Sequence, residues 1–124
     1  MPKVLLVDDD EALIEVFSTA LKQDGFETVT APDGKTGIEK AKTENPDLVL
    51  LDQVLPDISG NEVLKQLKAD EQTKNIPVII LSNFSQEELV KEAINEGAFD
   101  YVFKYQAATS DVVEKVKEAL KAKE

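Results

Sequence analysis

Several short apolar runs of this chain end in side chains that can do chemistry. The run 4–7 is followed by three aspartates, and the run 48–51 is followed by Asp52. Two later runs end in Ser82 and Lys104. Carboxylates, a hydroxyl and an ammonium group suit phosphoryl transfer, in which positioning and charge neutralisation do most of the catalysis. The residue types therefore favour a site for that chemistry.

The aspartates after the first and third runs are candidate metal ligands. If Asp8, Asp9 and Asp52 lie together, their charges repel one another unless a cation neutralises them. Oxygen ligands favour Mg²⁺, for which Mn²⁺ can substitute, and the chain has no cysteine or histidine to favour zinc or copper. Without that convergence, Asp8 and Asp9 would be ordinary helix-capping residues. Asp10 fits the N-cap of the first helix, a position that favours aspartate.

The third run supplies the candidate nucleophile, because the carboxylate of Asp52 can form an aspartyl phosphate. Lys104 can neutralise a phosphoryl oxygen as a point charge. Alternatively, it forms a structural salt bridge to Asp52 or Asp9. Ser82 can donate its hydroxyl to the phosphoryl group, or it can be an ordinary turn or N-cap serine.

Five alternations of strand and helix position these side chains. The predicted strands cover residues 4–7, 26–30, 48–51, 78–81 and 101–103, and each is followed by apolar residues at helical spacing. Strands that are apolar on both faces, alternating with amphipathic helices, predict an α/β fold with a doubly wound parallel sheet. In such sheets the site lies outside the carboxyl ends of the strands.

The composition excludes several classes of protein. A chain of 124 residues with 42% apolar residues fits one domain with a core. A net charge of −11, with lysine as the only basic residue, argues against binding nucleic acid. The lack of cysteine and histidine excludes disulfide scaffolds and Ser-His-Asp hydrolases. No apolar run approaches the roughly 18 residues of a membrane span, and no signal peptide is recognisable, so we expect a cytoplasmic protein.

Four segments in order give the chain a family resemblance. They are 4–9 (VLLVDD), 47–52 (DLVLLD) with Pro56 and Gly60, 76–82 (IPVIILS) and 97–104 (GAFDYVFK). In these segments the sequence resembles the receiver domains of two-component response regulators. The resemblance implies a single receiver domain over residues 1–124, flavodoxin-like, with strand order 2-1-3-4-5. Because the sequence ends about one helix after Lys104, we expect a stand-alone regulator or phosphorelay intermediate without an output domain, similar to the bacterial chemotaxis response regulator. The alternative is a receiver domain excised from a larger protein.

The resemblance also implies a role for each site residue. These are a metal-binding pair at Asp8 and Asp9, a phosphoacceptor at Asp52, a backbone-carbonyl metal ligand at Val54, a switch hydroxyl at Ser82, an aromatic switch ring at Tyr101 and a phosphate-binding lysine at Lys104. The implied donor is a partner histidine kinase or histidine phosphotransfer protein, and the implied output is a downstream protein target, with no nucleic acid or membrane. Such a domain is not an enzyme in the ordinary sense, because it catalyses only its own phosphorylation and dephosphorylation.

Two departures from the family pattern lie beside the switch residues. Tyr105 stands where the family has a proline in a cis peptide. Because a non-proline cis bond costs about 3–4 kcal/mol, we predict a trans or strained bond before Tyr105. Asn83 follows Ser82 where the family commonly has a small residue, and together with Phe84 it is expected to narrow access to Asp52 beside Ser82. With apolar Val54, this pair leaves no obvious side chain to orient an attacking water. The chain is therefore expected to hold its phosphoryl group for a long time.

Other functions are weighed against this one. A receiver-like interaction module that no longer switches is the main alternative, because of the departures just described. An aspartate-nucleophile hydrolase needs a D-x-D-x-[TV] pattern, which fails at Ala12. A flavin-binding domain needs a phosphate-binding loop after the first strand, and here that loop is acidic.

Overall fold

The computed structural model describes residues 2–82, 87–104 and 109–123, and within these ranges strands alternate with helices. The strands are β1 (Lys3–Val7), β2 (Glu27–Ala31), β3 (Leu48–Asp52), β4 (Val78–Ser82) and β5 (Asp100–Phe103). The helices are α1 (Glu11–Gln23), α2 (Gly34–Thr43), α3 (Gly60–Ala69), α4 (Glu87–Asn95) and α5 (Thr109–Lys123).

The five strands form one parallel sheet in the order β2-β1-β3-β4-β5, which confirms the predicted fold and strand order. The register aligns the carboxyl ends of the strands. Val7 pairs with Leu51, and Asp52, the next residue of β3, pairs with Leu81 of β4. The polar residues that end these strands therefore meet at one edge of the sheet, as the topology requires.

Side chains alternate between two apolar layers, one on each face of the sheet. Leu6 and Leu50 belong to the layer that includes α1 and α5, whereas Leu5 and Leu51 belong to the layer with α2 and α3. Each of these leucines is fully buried, which stabilises the fold by roughly 1.5–3 kcal/mol per side chain. No helix in the described ranges combines the length and the apolar character needed to cross a bilayer.

Polar side chains cap the helices that begin near the site. The Asp10 carboxylate accepts hydrogen bonds from the backbone N–H groups of Ala12 and Leu13, at 3.1 and 3.2 Å, which confirms the predicted N-cap of α1. Ser59 caps α3 in the same way, accepting from the N–H of Glu62 at 3.1 Å. The first turns of α1 and α3 are thus fixed close to the ends of β1 and β3.

The predicted β2 was one residue too early. The N–H of Phe26 donates to the carbonyl of Leu21 at 3.0 Å, and Gly25 takes a φ of +90° to allow that bond. The N–H of Phe26 therefore completes the C-terminal cap of α1, and Phe26 precedes β2. At the other end of the strand, Ala31 joins the sheet by pairing with Val7.

β2 lies at an edge of the sheet, and a lysine covers part of that edge. Lys40 of α2 donates from Nζ to the backbone carbonyl of Thr30 at 2.6 Å. Lysines on edge strands hinder the addition of a further strand, because they occupy or charge the open ladder.

Candidate functional site

Three charged side chains meet at the carboxyl edge of the sheet. Asp8 follows β1 directly, and its N–H donates to the carbonyl of Ala31 at 3.1 Å. Asp52 is the last residue of β3. Lys104 follows β5, and its N–H donates to the carbonyl of Ser82 at 2.9 Å. The backbone of the sheet thus places each of the three side chains at this edge.

The ammonium group of Lys104 bridges the two carboxylates. Its Nζ lies 3.1 Å from Oδ2 of Asp8 and 3.2 Å from Oδ2 of Asp52. Asp8 is fully buried, Asp52 is 4% exposed and Lys104 is 8% exposed. The sequence named Asp52 and Asp9 as possible partners of the lysine, and the structure gives Asp52 and adds Asp8. Asp9, one residue further along the loop, is exposed.

The protonation of this group follows from its burial. Burial raises the pKa of Asp52 to about 6, and the negative charge of Asp8 adds to that effect, while Lys104 opposes it. For Lys104 burial acts to lower the pKa, but the charges of Asp52 and Asp8 outweigh it and leave the pKa above its ordinary value. Near pH 7 the lysine is therefore charged and Asp52 is mostly ionised.

The carboxylates have the chemistry of a divalent-cation site. One oxygen from each of Asp8, Asp9 and Asp52 lies within 4.8 Å of the other two. Oδ1 of Asp8 accepts from the N–H of Asp10 at 3.0 Å and from Nζ of Lys104 at 3.3 Å, and Oδ2 lies 3.1 Å from the same Nζ. A cluster of carboxylates that offers only oxygen ligands fits Mg²⁺ or Mn²⁺.

The loop after β3 carries the fourth residue of the candidate metal set. The backbone N–H of Val54 lies 3.4 Å from Oδ1 of Asp52, a long hydrogen bond that keeps the two residues together. Val54 is 56% exposed. The chain at this point is therefore accessible beside the buried Asp52.

The predicted switch residues lie on β4, which pairs with β3, and on β5, which pairs with β4. Ser82 ends β4 and is fully buried, and it pairs with Phe103 of β5. Tyr101 is 37% exposed, and its ring packs edge-on against Phe103 with 5.3 Å between ring centroids. Nζ of Lys115 stands 5.7 Å from the centroid of the Tyr101 ring. The tyrosine thus lies on the outer side of β5.

The loop between β3 and α3 is held by contacts that the sequence did not predict. Both carboxylate oxygens of Asp57 accept backbone N–H groups at the start of α2, from Gly34 at 2.8 Å and from Lys35 at 2.9 Å. These hydrogen bonds lower the pKa of Asp57 to about 2, and the one from Lys35 has the largest effect. Aspartate at a helix N-terminus is a recognisable signal, but its sequence distance from α2 concealed the contact.

A buried pair of amide side chains follows Asp52. Nε2 of Gln53 donates to Oδ1 of Asn61 at 3.0 Å, and Oε1 of Gln53 accepts from the backbone N–H of Asn61 at 3.0 Å. Sequence reasoning missed both residues. The available signal was a glutamine directly after an apolar strand, a place where a buried amide needs a partner.

Three residues of the sequence argument lie outside the described ranges. These are Asn83, Phe84 and Tyr105. The predicted trans or strained bond before Tyr105 and the predicted narrowing beside Ser82 therefore stay predictions.

Replacing Gly60 by alanine is expected to disturb the site through its backbone. A Cβ at this position would collide with the carbonyl oxygen of Asp52 and would lie 2.8 Å from Cα of Gln53. We expect a loss of roughly 2–3 kcal/mol of unfolding free energy in urea denaturation. Gly25→Ala is the control, because a Cβ there meets nothing within 4 Å and only the φ of +90° is unfavourable. A loss at Gly60 no larger than that at Gly25 would contradict the steric argument.

The fold and the cluster together define a flavodoxin-like α/β domain with a lysine-bridged acidic site. Residues 4–117 match the family model of the response regulator receiver domain, and the chain belongs to that family. The resemblance inferred from the four sequence segments is thereby confirmed. Receiver domains are signalling modules rather than enzymes in the ordinary sense, and they work with histidine kinases or phosphotransfer proteins and with downstream targets.

Named relatives place the chain within this family. It is 37% identical over 102 residues to the alkaline phosphatase synthesis transcriptional regulatory protein PhoP of Bacillus subtilis, covering 82% of this chain and 42% of that protein. It is 38% identical over 88 residues to the polar-differentiation response regulator DivK of Brucella anthropi, covering 70% of this chain and 72% of DivK. The chain thus spans about two fifths of the regulator from Bacillus.

A solved structure agrees with the fold over nearly all of the chain. The response regulator receiver domain protein (CheY-like) of Methanospirillum hungatei superposes with a TM-score of 0.91. The two chains are 28% identical, and the match covers 99% of this chain and 96% of the other.

Proposed function

We propose that this chain is a phosphoacceptor switch of a two-component or phosphorelay system, and that Asp52 accepts the phosphoryl group. The observation that carries the proposal is the buried arrangement of Asp52, Asp8 and Lys104, with lysine–carboxylate distances of 3.1 and 3.2 Å. Asp52 combines a carboxylate that is mostly ionised near pH 7 with a neighbouring cation that can stabilise added negative charge.

In the proposed transfer step, Asp52 is the nucleophile and a phosphohistidine is the phosphoryl donor. A carboxylate oxygen of Asp52 attacks the phosphorus of a phosphohistidine on a partner, forming an O–P bond. The N–P bond breaks, and its electron pair stays on the histidine nitrogen. Lys104 and the hydroxyl of Ser82 then bind the phosphoryl oxygens. Since residues 1–124 contain no histidine, the phosphohistidine lies outside them, on a histidine kinase or histidine phosphotransfer protein.

The proposed site includes a divalent cation. Asp8, Asp9, Asp52 and the backbone carbonyl of Val54 would hold Mg²⁺, or Mn²⁺ in its place. When bound, the ion supplies positive charge that relieves the repulsion between the carboxylates and the incoming phosphoryl group.

The output is proposed to be a change in the protein-binding surface around β5. Tyr101 lines a groove of about 520 Å³ between β5 and α5. Three acidic residues of α5, Asp111, Glu114 and Glu118, line the same groove. A downstream protein with a basic face suits this surface by charge, and neither nucleic acid nor a membrane is needed. We place this switch in the cytoplasm.

Treatment with a small phosphodonor such as acetyl phosphate tests the proposal. With Mg²⁺, intact-protein mass spectrometry is expected to show the addition of one phosphoryl group, and a chelator is expected to prevent it. Asp52→Asn is expected to remove the addition, whereas Asp57→Asn, a matched change in the same loop, is expected to keep it. An unlabelled wild type, or an Asp52→Asn variant that is labelled equally well, would leave only a receiver-like interaction module.

A further inference from the structure

The amide pair formed by Gln53 and Asn61 extends beyond the site to another helix. The two side chains are 2% and 5% exposed, and they are joined by the two hydrogen bonds described above. Nδ2 of Asn61 also donates to the backbone carbonyl of Leu89 in α4, at 3.2 Å. A continuous chain of three hydrogen bonds therefore runs from the residue after Asp52 to α4.

The near end of this chain is fixed to the site through the backbone. The N–H of Gln53 donates to the carbonyl of Leu81 at 3.0 Å, and its carbonyl accepts from the N–H of Gly60 at 2.9 Å. Asp52 and Val54, on either side of Gln53, are joined by the long hydrogen bond of 3.4 Å. A change of charge or size on the Asp52 carboxylate alters that bond, and Gln53 lies in the middle of the segment that must adjust.

Packing alone does not require amides at these positions. A methionine of similar length would fill the space of Gln53 without desolvating an amide, and buried polar pairs are often no more stabilising than apolar ones. The amides instead impose a fixed geometry, since each hydrogen bond fixes a rotamer and joins two particular atoms. Packed interiors transmit such displacements because they have few voids to absorb them.

We propose that Gln53 and Asn61 are positioning residues that carry the state of Asp52 to α4. This route is separate from Ser82 on β4 and Tyr101 on β5. Its far end moves a helix that exposes the apolar side chains of Leu89 and Ile94, at 39% and 41%. The inference rests on the proposed function, because it assigns a second output to phosphorylation of Asp52.

Amide hydrogen exchange of α4 measures the coupling between the state of Asp52 and this helix. Wild type, Gln53→Met and Asn61→Ser are compared with and without Mg²⁺ and beryllofluoride, a phosphoryl mimic, with peptides of α2 as the internal reference. Asn61→Ser removes the hydrogen bond to Leu89 and the one from Nε2 of Gln53, but it keeps the backbone N–H that donates to Oε1 of Gln53. This variant therefore decides the matter if Gln53→Met folds poorly. Gln66→Met, an exposed change on α3, is the matched control.

In wild type and in Gln66→Met, the mimic is expected to change the exchange rates of α4. In Gln53→Met and Asn61→Ser that change is expected to be roughly fivefold smaller, as coupling of ordinary strength predicts. Labelling of Asp52 by the small phosphodonor is expected to stay within about twofold of wild type, because neither residue contacts the transferred group. A merely structural role would alter resting exchange but leave the response to the mimic intact.

The possible failures are distinguishable. If both variants respond at α4 as wild type does, the route through the amide pair is wrong while the phosphoacceptor function stands. If wild type is not labelled at all, the proposed function fails first, and the coupling fails with it. A lost α4 response in a variant that is still labelled supports the coupling alone.

Discussion

Asp52→Asn is expected to make the metal-free protein more stable at pH 8, by about 3 kcal/mol. The pKa of Asp52 is about 6 in the folded chain, against an ordinary value of 3.8, so the fold favours the protonated carboxyl. The preference for the protonated carboxyl stabilises the fold fully below the unfolded-state pKa of 3.8, and this stabilisation is lost as the pH rises through about 6. At pH 8 the ionised carboxylate therefore costs roughly 3 kcal/mol, which the neutral amide avoids.

Urea denaturation in the presence of a chelator, at pH 8, 5 and 3.5, measures this effect. The advantage of Asp52→Asn is expected to shrink at pH 5 and to approach zero at pH 3.5. Adding Mg²⁺ is expected to stabilise wild type more than the variant, because the carboxylate is a proposed ligand. Asp57→Asn is the control, and its effect on stability is expected to have the opposite sign. The pKa of Asp57 is lowered to about 2, so its charge contributes stability, which is lost as the pH falls through that value. If both variants changed the free energy of unfolding equally at each pH, the conclusion that the ionised Asp52 carboxylate destabilises the fold would be contradicted.

Lys104→Met is expected to destabilise the metal-free protein by about 3 kcal/mol at pH 8. It removes the cation between Asp8 and Asp52 and leaves two buried carboxylates facing each other. Breaking a buried ion pair by deleting one partner typically costs 3–5 kcal/mol. Here proton uptake by Asp52 offsets part of that cost, so the loss is expected to decrease below pH 6.

The same denaturation experiment supplies the controls for Lys104→Met. Lys117→Met removes an ion pair to Asp24 on the surface, where both side chains are more than a third exposed, and is expected to cost less than about 1 kcal/mol. Asp52→Asn is expected to stabilise the Lys104→Met background by more than the roughly 3 kcal/mol that it adds to wild type, because Lys104 no longer offsets the charge that the change removes. If Asp52→Asn stabilised both backgrounds equally, the coupling between Lys104 and Asp52 would be disproved.

The sequence predicted the fold and the location of the cluster for the same physical reason. Apolar runs that end in charge, separated by amphipathic helices, fix the direction of every strand, and parallel strands bring their carboxyl ends together. The sequence therefore predicts that Asp8, Asp52 and Lys104 lie close together. The boundary of β2 was missed because the closing bond of α1 depends on the conformation of Gly25, which periodicity does not show.

The finer contacts of the site were beyond sequence reasoning. Whether Lys104 pairs with Asp8 or Asp9 depends on which of two adjacent side chains turns inward, and both are aspartate. The bond between Gln53 and Asn61 depends on the close approach of Gly60 to the end of β3, a distance that no spacing rule supplies. Contacts of this kind are set by tertiary packing rather than by local propensity.

The lysine at the edge of β2 has a consequence for how copies of this chain meet. Because Nζ of Lys40 already occupies the carbonyl of Thr30, an incoming strand would have to displace an ammonium group before its own N–H could pair there. An ordered ladder across that edge would carry this cost in every molecule it joined. At high protein concentration, copies of the chain can therefore crowd together without this edge starting an intermolecular sheet.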